Sequence, residues 1–196
     1  EGIGKDQKVN FGGDLKIPIN NGLNLDITLN PDFSQVEVDD EIINLTQFEV
    51  VLPEKRQFFL QNSDLFSNYG ADRTVTPFLT RRIGVAKDLE GNNIQNRIIA
   101  GARLSGKISD KMRLGFLNML TDEDVKNEVA SNNNTVVSLQ QSVFSRSNLK
   151  FLFINRQTVK DYDFISSDEK FNRMLGLEYD LNSKDNVWKG RFFQLD

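Results

Sequence analysis

Val9-Asn10-Phe11-Gly12-Gly13-Asp14-Leu15-Lys16-Ile17-Pro18-Ile19-Asn20-Asn21-Gly22-Leu23-Asn24-Leu25-Asp26-Ile27-Thr28-Leu29-Asn30 decides the fold. Val9, Phe11, Gly13, Leu15, Ile17 and Ile19 alternate with Asn10, Gly12, Asp14, Lys16 and Pro18. Beyond Asn20-Asn21-Gly22, Leu23, Leu25, Ile27 and Leu29 alternate with Asn24, Asp26, Thr28 and Asn30. A period of two belongs to a strand whose faces meet different surroundings. Asn-Gly between two such runs predicts a hairpin turn, because both residues tolerate positive φ.

The same period recurs downstream. Ile98, Ala100, Ala102, Leu104 and Ile108 are expected on one face, against Arg103, Ser105 and Lys107, with a turn at Ser109-Asp110-Lys111. Met112 to Leu120 alternates less cleanly, since Leu117 and Met119 fall opposite Met112, Leu114 and Phe116. Further strands are expected over Thr135 to Phe144, Leu149 to Arg156, a run with Leu175, Leu177, Tyr179 and Leu181 on one face, and Val187 to Leu195. Connections alternate between tight turns at 20–22, 109–111, 145–148 and 182–186 and longer polar stretches at 84–97, 121–134 and 157–170. That rhythm is the one a membrane barrel uses, with short turns on one rim and long loops on the other. The fold class predicted is therefore all-β: an antiparallel up-and-down meander of about eight strands, a portion of a membrane β-barrel. A soluble β-sandwich is the alternative, and it would press the apolar rows together in a dry core.

Composition narrows the chemistry. In 196 residues there is neither Cys nor His, which removes disulfides, thiolate nucleophiles, Cys/His zinc sites and imidazole-based triads. With 24 Lys+Arg against 28 Asp+Glu the formal charge is −4, and no basic stripe favours nucleic acid. No apolar run reaches the length of a membrane helix. Mean hydropathy is −0.44, a value a barrel tolerates because only alternate residues face lipid. The chain opens Glu1-Gly2-Ile3-Gly4 and is read as a piece of a longer protein.

Residues 31–83 break the rhythm. Asn30-Pro31-Asp32-Phe33-Ser34-Gln35-Val36-Glu37-Val38-Asp39-Asp40-Glu41 is acidic, and its proline disfavours further pairing. Asp39 or Asp40 is expected to cap a short helix with Ile42, Leu45 and Phe48 on one side. A connection this long is expected to fold against something; in a barrel, that is the lumen or the rim. The domain organisation predicted is a single partial barrel domain over 1–196, with 31–83 as an inserted lumen or rim segment.

This segment carries a family resemblance. The runs Asn30 to Glu37, Asn44-Leu45-Thr46-Gln47-Phe48-Glu49, Pro53-Glu54-Lys55-Arg56-Gln57-Phe58-Phe59-Leu60, Ser63-Asp64-Leu65-Phe66 and Arg81-Arg82-Ile83-Gly84 resemble one group of large Bacteroidetes-type proteins. In these, an N-terminal family-nine carbohydrate-binding-like domain precedes an uncharacterised outer-membrane β-barrel domain. Ala100 to Lys107 and Asn155-Arg156-Gln157 extend the likeness over most of the chain. The resemblance implies the opening part of that barrel domain, placed in the cell outer membrane. The carbohydrate descriptions of the family rest on the domain absent here, so a link to glycan binding or uptake is carried by the resemblance alone.

Candidate side chains lie in and around the insert. Asp32, Glu37, Asp39, Asp40, Glu41, Glu54 and Asp64 are acids of the type a glycosidase uses, which needs two carboxyl groups roughly 5 to 9 Å apart. The plainer reading pairs them with Lys55, Arg56, Arg73, Arg81 and Arg82. Their spacing does not match a calcium-binding EF-hand loop, and no metal or other cofactor is predicted. Pro53-Glu54-Lys55-Arg56 reads as a solvated turn or as a charged constriction in a pore. The lumen or gate candidates are Asp32, Glu37, Glu54, Lys55, Arg56, Asp64, Arg81 and Arg82, with no catalytic residue assigned. The function expected is an outer-membrane component with a structural or transport role and membrane lipid as partner. A carbohydrate-binding sandwich and a carboxylate-dependent glycan hydrolase are the rivals.

Overall fold

The computed structural model of the chain describes residues 11–31, 54–67, 69–70 and 77–196. Val9, Asn10, Asp32, Glu37, Pro53 and Arg73, and the helix expected around Ile42, Leu45 and Phe48, lie outside the described residues.

In chain order the elements are β1 (Gly13–Pro18), β2 (Leu23–Leu29), α1 (Gln57–Leu60), α2 (Asp64–Ser67), β3 (Val85–Lys87), β4 (Asn93–Gln95), β5 (Ile98–Ser109), β6 (Met112–Thr121), β7 (Asn132–Val143), β8 (Ser147–Thr158), β9 (Phe171–Asn182) and β10 (Lys189–Leu195). Eight strands form one antiparallel sheet in the order β1-β2-β5-β6-β7-β8-β9-β10. The sheet is open, with β1 and β10 at its edges, and β3–β4 is a separate hairpin within the stretch 84–97, which is expected from its polarity to be a connection. β7 begins earlier than its apolar residues do, because ladder bonds are indifferent to side-chain polarity: Asn133 and Asn134 pair with Leu120 and Met119.

The first hairpin holds the expected register, with Leu15 opposite Ile27 and Lys16 opposite Asp26. Its turn closes differently from expectation. Neither Asn20, Asn21 nor Gly22 has positive φ; instead the Asn20 side-chain oxygen accepts from the backbone N–H of Gly22 (2.8 Å) and Leu23 (2.9 Å). The asparagine works as a mimic of a backbone turn. A left-handed residue is needed elsewhere: Gly106 has φ +136°, and a Cβ there would collide with the Gly22 carbonyl. That carbonyl accepts from Lys107 N–H at 2.8 Å, tying the first turn to β5.

Two register shifts in the β5–β6 pair, at Ile98/Ala100 and Lys107/Ser109, correct the expected faces of β5. A bulge adds one residue and so reverses the side-chain alternation beyond it. Ile98 is thereby turned away from the row of Ala100, Ala102 and Leu104 and into the core, where it is buried.

The sheet's two faces are unlike. Asp26, Thr28, Arg103, Ser105, Ser138, Lys150 and Glu178 are buried on one of them, together with Leu117, Met119, Val136 and Leu152. These four pack with Phe59, Leu65, Phe66 and Tyr69, so the segment around α1 and α2 covers this face. The irregular alternation of β6 is thus explained: Leu117 and Met119 meet the insert. The opposite face bears Leu15, Ile17, Leu25, Leu104, Phe116, Leu139, Phe151, Phe153, Leu175 and Leu177, and no second sheet of the described residues lies over it. Leu15 (55%), Leu149 (47%), Leu177 (50%) and Phe192 (62%) are open to their surroundings.

Candidate functional site

The insert is held to the covered face by polar contacts around an apolar centre. Gly115 on β6 lets α2 approach, since a Cβ there would lie 2.9 Å from the Phe66 ring and 3.2 Å from Leu65 Cβ. Phe59, Leu65 and Phe66 are each 2% exposed, and full burial of such a side chain stabilises by about 2 kcal/mol.

On one flank, Arg103 donates to Asp26 Oδ2 (2.8 Å) and to the Gln61 carbonyl (2.9 Å), and Asn62 donates to Ser105 Oγ (3.2 Å). On the other, Lys150 contacts Glu178 (2.7 Å) and Asp180 (2.8 Å), and Arg191 contacts Asp180 (2.9 Å). Gly70 of the insert joins this cluster through both backbone groups: its N–H donates to Glu178 (2.6 Å) and its carbonyl accepts from Arg191 (2.9 Å). Tyr69 donates to the Phe151 carbonyl (2.7 Å), with Ser138 Oγ at 2.9 Å. Burial pushes the Tyr69 hydroxyl up to about 12; the Ser138 hydrogen bond opposes this and the Glu178 charge adds to it. The phenol therefore remains a donor over the whole neutral range.

Among the residues singled out from sequence, Glu54 and Arg56 form a fork pair with contacts of 2.8 Å from Nε and Nη2. Arg56 also donates to the carbonyls of Ile83 and Thr80, both at 2.6 Å, and stacks on the Phe59 ring at 4.2 Å. Thr80 Oγ1 donates to Glu54 at 2.6 Å. Burial alone would raise the Glu54 carboxyl. The hydrogen bonds from Arg56 and Thr80 and the Arg56 charge outweigh it and hold the group below its ordinary range. Arg81 and Arg82 end the 3-10 turn Thr80–Arg82 that receives this pair, Arg81 half-buried and Arg82 exposed. Lys55 is exposed, and its N–H meets Glu54 Oε1 at 3.1 Å. Asp64 stands apart from the fork pair and binds Arg113 with contacts of 2.6 and 3.1 Å. Asp32 and Glu37 lie outside the described residues.

In sequence Asp26 and Arg103 belong to the polar phase of apolar strands, as do Glu178 and Asp180 between Leu175, Leu177, Tyr179 and Leu181, a phase that in a barrel faces the lumen. Their partners Gln61, Tyr69 and Gly70 gave no such signal, because pairing across 42 to 121 positions leaves no local pattern. A cleft of about 470 Å³ lies beside the Arg103 flank, between α1 and the β1–β2 hairpin.

Fold and site together define an all-β protein built on one meander, with an inserted element clamped across its charged face. The family model described as Domain of unknown function (DUF5916) matches residues 2–166, and the chain belongs to that family. No curated protein and no solved structure matches the chain.

Proposed function

We propose that the chain is a segment of the wall of an outer-membrane β-barrel, with the insert lying against the lumenal face, in a protein with a structural or transport role. The observation that carries this reading is the inside-out distribution of the strands: ion pairs and hydroxyls are sealed under the insert while Leu, Ile and Phe stand uncovered on the other face. In water such an apolar row would be a liability, whereas in a bilayer it is the lipid-facing surface.

The lengthwise distribution agrees. On the uncovered face the apolar band gives way to a polar collar, where Arg173 donates to Asn155 (3.0 Å) and Asn118 to Thr135 (2.8 Å). Arg173 also stacks on Phe171 at 4.7 Å, an arrangement suited to a headgroup region. At the opposite rim Phe144 and Trp188 stand 88% and 70% exposed in the tight turns. From Ser147, where β8 leaves the turn, to Phe153 is about six strand steps, roughly 20 Å, and the polar collar begins one row further on at Asn155. A sandwich would need a second sheet over this row. A carboxylate hydrolase would need an acid with a raised pKa; Glu54 is not that acid, being displaced the other way.

Fractionation of the whole protein that contains this chain tests the proposal. Recovery with the detergent-extracted outer membrane is expected; recovery as a soluble monomer overturns it.

A further inference from the structure

We infer that the rim of tight turns is a docking surface for the headgroups of anionic phospholipid. The inference rests on the barrel reading and adds to it the charge class of the lipid at one rim.

The tight turns lie side by side, because hydrogen bonds join each to the next. The Gly22 carbonyl accepts from Lys107 N–H (2.8 Å) and the Lys111 carbonyl from Ser142 N–H (2.7 Å). Ser147 Oγ donates to the Asn182 carbonyl (3.2 Å) and accepts from the Asn182 N–H (3.1 Å). Exposed apolar and cationic side chains therefore share one border. Ile108 stands between Lys107 and Lys111, Phe144 two positions before Arg146, and Val187 and Trp188 between Lys184 and Lys189. All five cations are exposed, and none is ion-paired among the described residues. Of the acids in these turns, Asp185 accepts from Ser183 Oγ and Val187 N–H and so shapes its own loop, which leaves Asp110.

The opposite rim has the reverse balance. The stretches 121–134 and 157–170 hold more acids than bases, and Lys160 and Lys170 are paired with Glu123 and Asp161. The positive excess thus belongs to the tight turns. Phe144 adds a second, independent sign. Its φ is +54°, a left-handed conformation that is costly for a bulky side chain, and its ring gains no burial within the chain in return. Contact with acyl chains just inside the headgroups would supply that burial. The border is continuous with the uncovered Leu, Ile and Phe face, so whatever covers that face reaches the border as well. Unpaired Lys and Arg at such a depth favour headgroups of net negative charge over zwitterionic ones.

Ser145→Cys, exposed between Phe144 and Arg146, can carry a bimane in the whole protein, reconstituted in equimolar phosphatidylglycerol and phosphatidylcholine with one or the other brominated. Leu177→Cys reports separately on the barrel reading. Both lipids are expected to quench at 177. At 145, brominated phosphatidylglycerol is expected to act as if enriched about twofold or more over brominated phosphatidylcholine. That excess should vanish at about 0.5 M salt, and in the variant carrying Lys111→Gln, Arg146→Gln, Lys184→Gln and Lys189→Gln together. Equal quenching at 145 by the two lipids while 177 is quenched overturns this inference and leaves the barrel standing. So does no quenching at 145, the result a protein partner covering this rim would give. An excess that survives in the charge-removed variant overturns it equally, and no quenching at either position overturns both readings.

Discussion

Gly115 and Glu54 show how single positions hold the insert in place. Any side chain at Gly115 must displace Phe66 or Leu65, so Gly115→Val is expected to destabilise by about 1–3 kcal/mol, read from the urea midpoint. Glu54→Gln breaks the fork with Arg56 and is expected to cost about 1–3 kcal/mol near neutral pH. The Glu54 carboxyl sits below its ordinary value of 4.5 when folded. Its contribution is therefore complete above that value and disappears as pH falls through the lowered folded pKa. Thermal unfolding of parent and variant should differ at pH 7 and converge under acid conditions; a gap that persists there would contradict the assignment. Asp64 presents the opposite case. Its side chain is 53% exposed, so Asp64→Asn is expected to change stability by less than about 1 kcal/mol despite the short contacts to Arg113.

Among the elements, β8, β9 and β10 meet in the cluster of Lys150, Glu178, Asp180 and Arg191. Lys150→Met would leave the buried Glu178 and the half-buried Asp180 with one partly exposed arginine, and a loss of about 3 kcal/mol is expected, again by urea denaturation. The strands themselves were legible in sequence because a half-covered strand writes its faces into alternate residues: Leu15, Leu25 and Leu177 identify one face without tertiary information. The bulge at Ile98 was not legible, since one extra residue shifts phase without changing composition. The insert's docking was hidden too. Asp64 finds Arg113 and Gly70 finds Glu178 only after the sheet has formed, and neither position carries a periodic signal. Glu54 and Arg56 were legible as a charged cluster, but not as a pair folded onto Thr80 and Ile83.

Across the whole molecule, an apolar band is bounded by Phe144 and Trp188 at one rim and by Asn155, Phe171 and Arg173 at the other. An open single-layer sheet with edges at β1 and β10 leaves that band uncovered, and the proposed barrel supplies lipid as its covering. The absence of native cysteine makes the band directly measurable. Leu177→Cys and Leu149→Cys on the band, Asn155→Cys on the collar and Asp14→Cys on the covered face can each carry a bimane in the whole protein, reconstituted in bilayers containing brominated lipid. Strong quenching at 177 and 149, weaker quenching at 155 and none at 14 is the result predicted; equal quenching at all four positions, or none at 177 and 149, would contradict it.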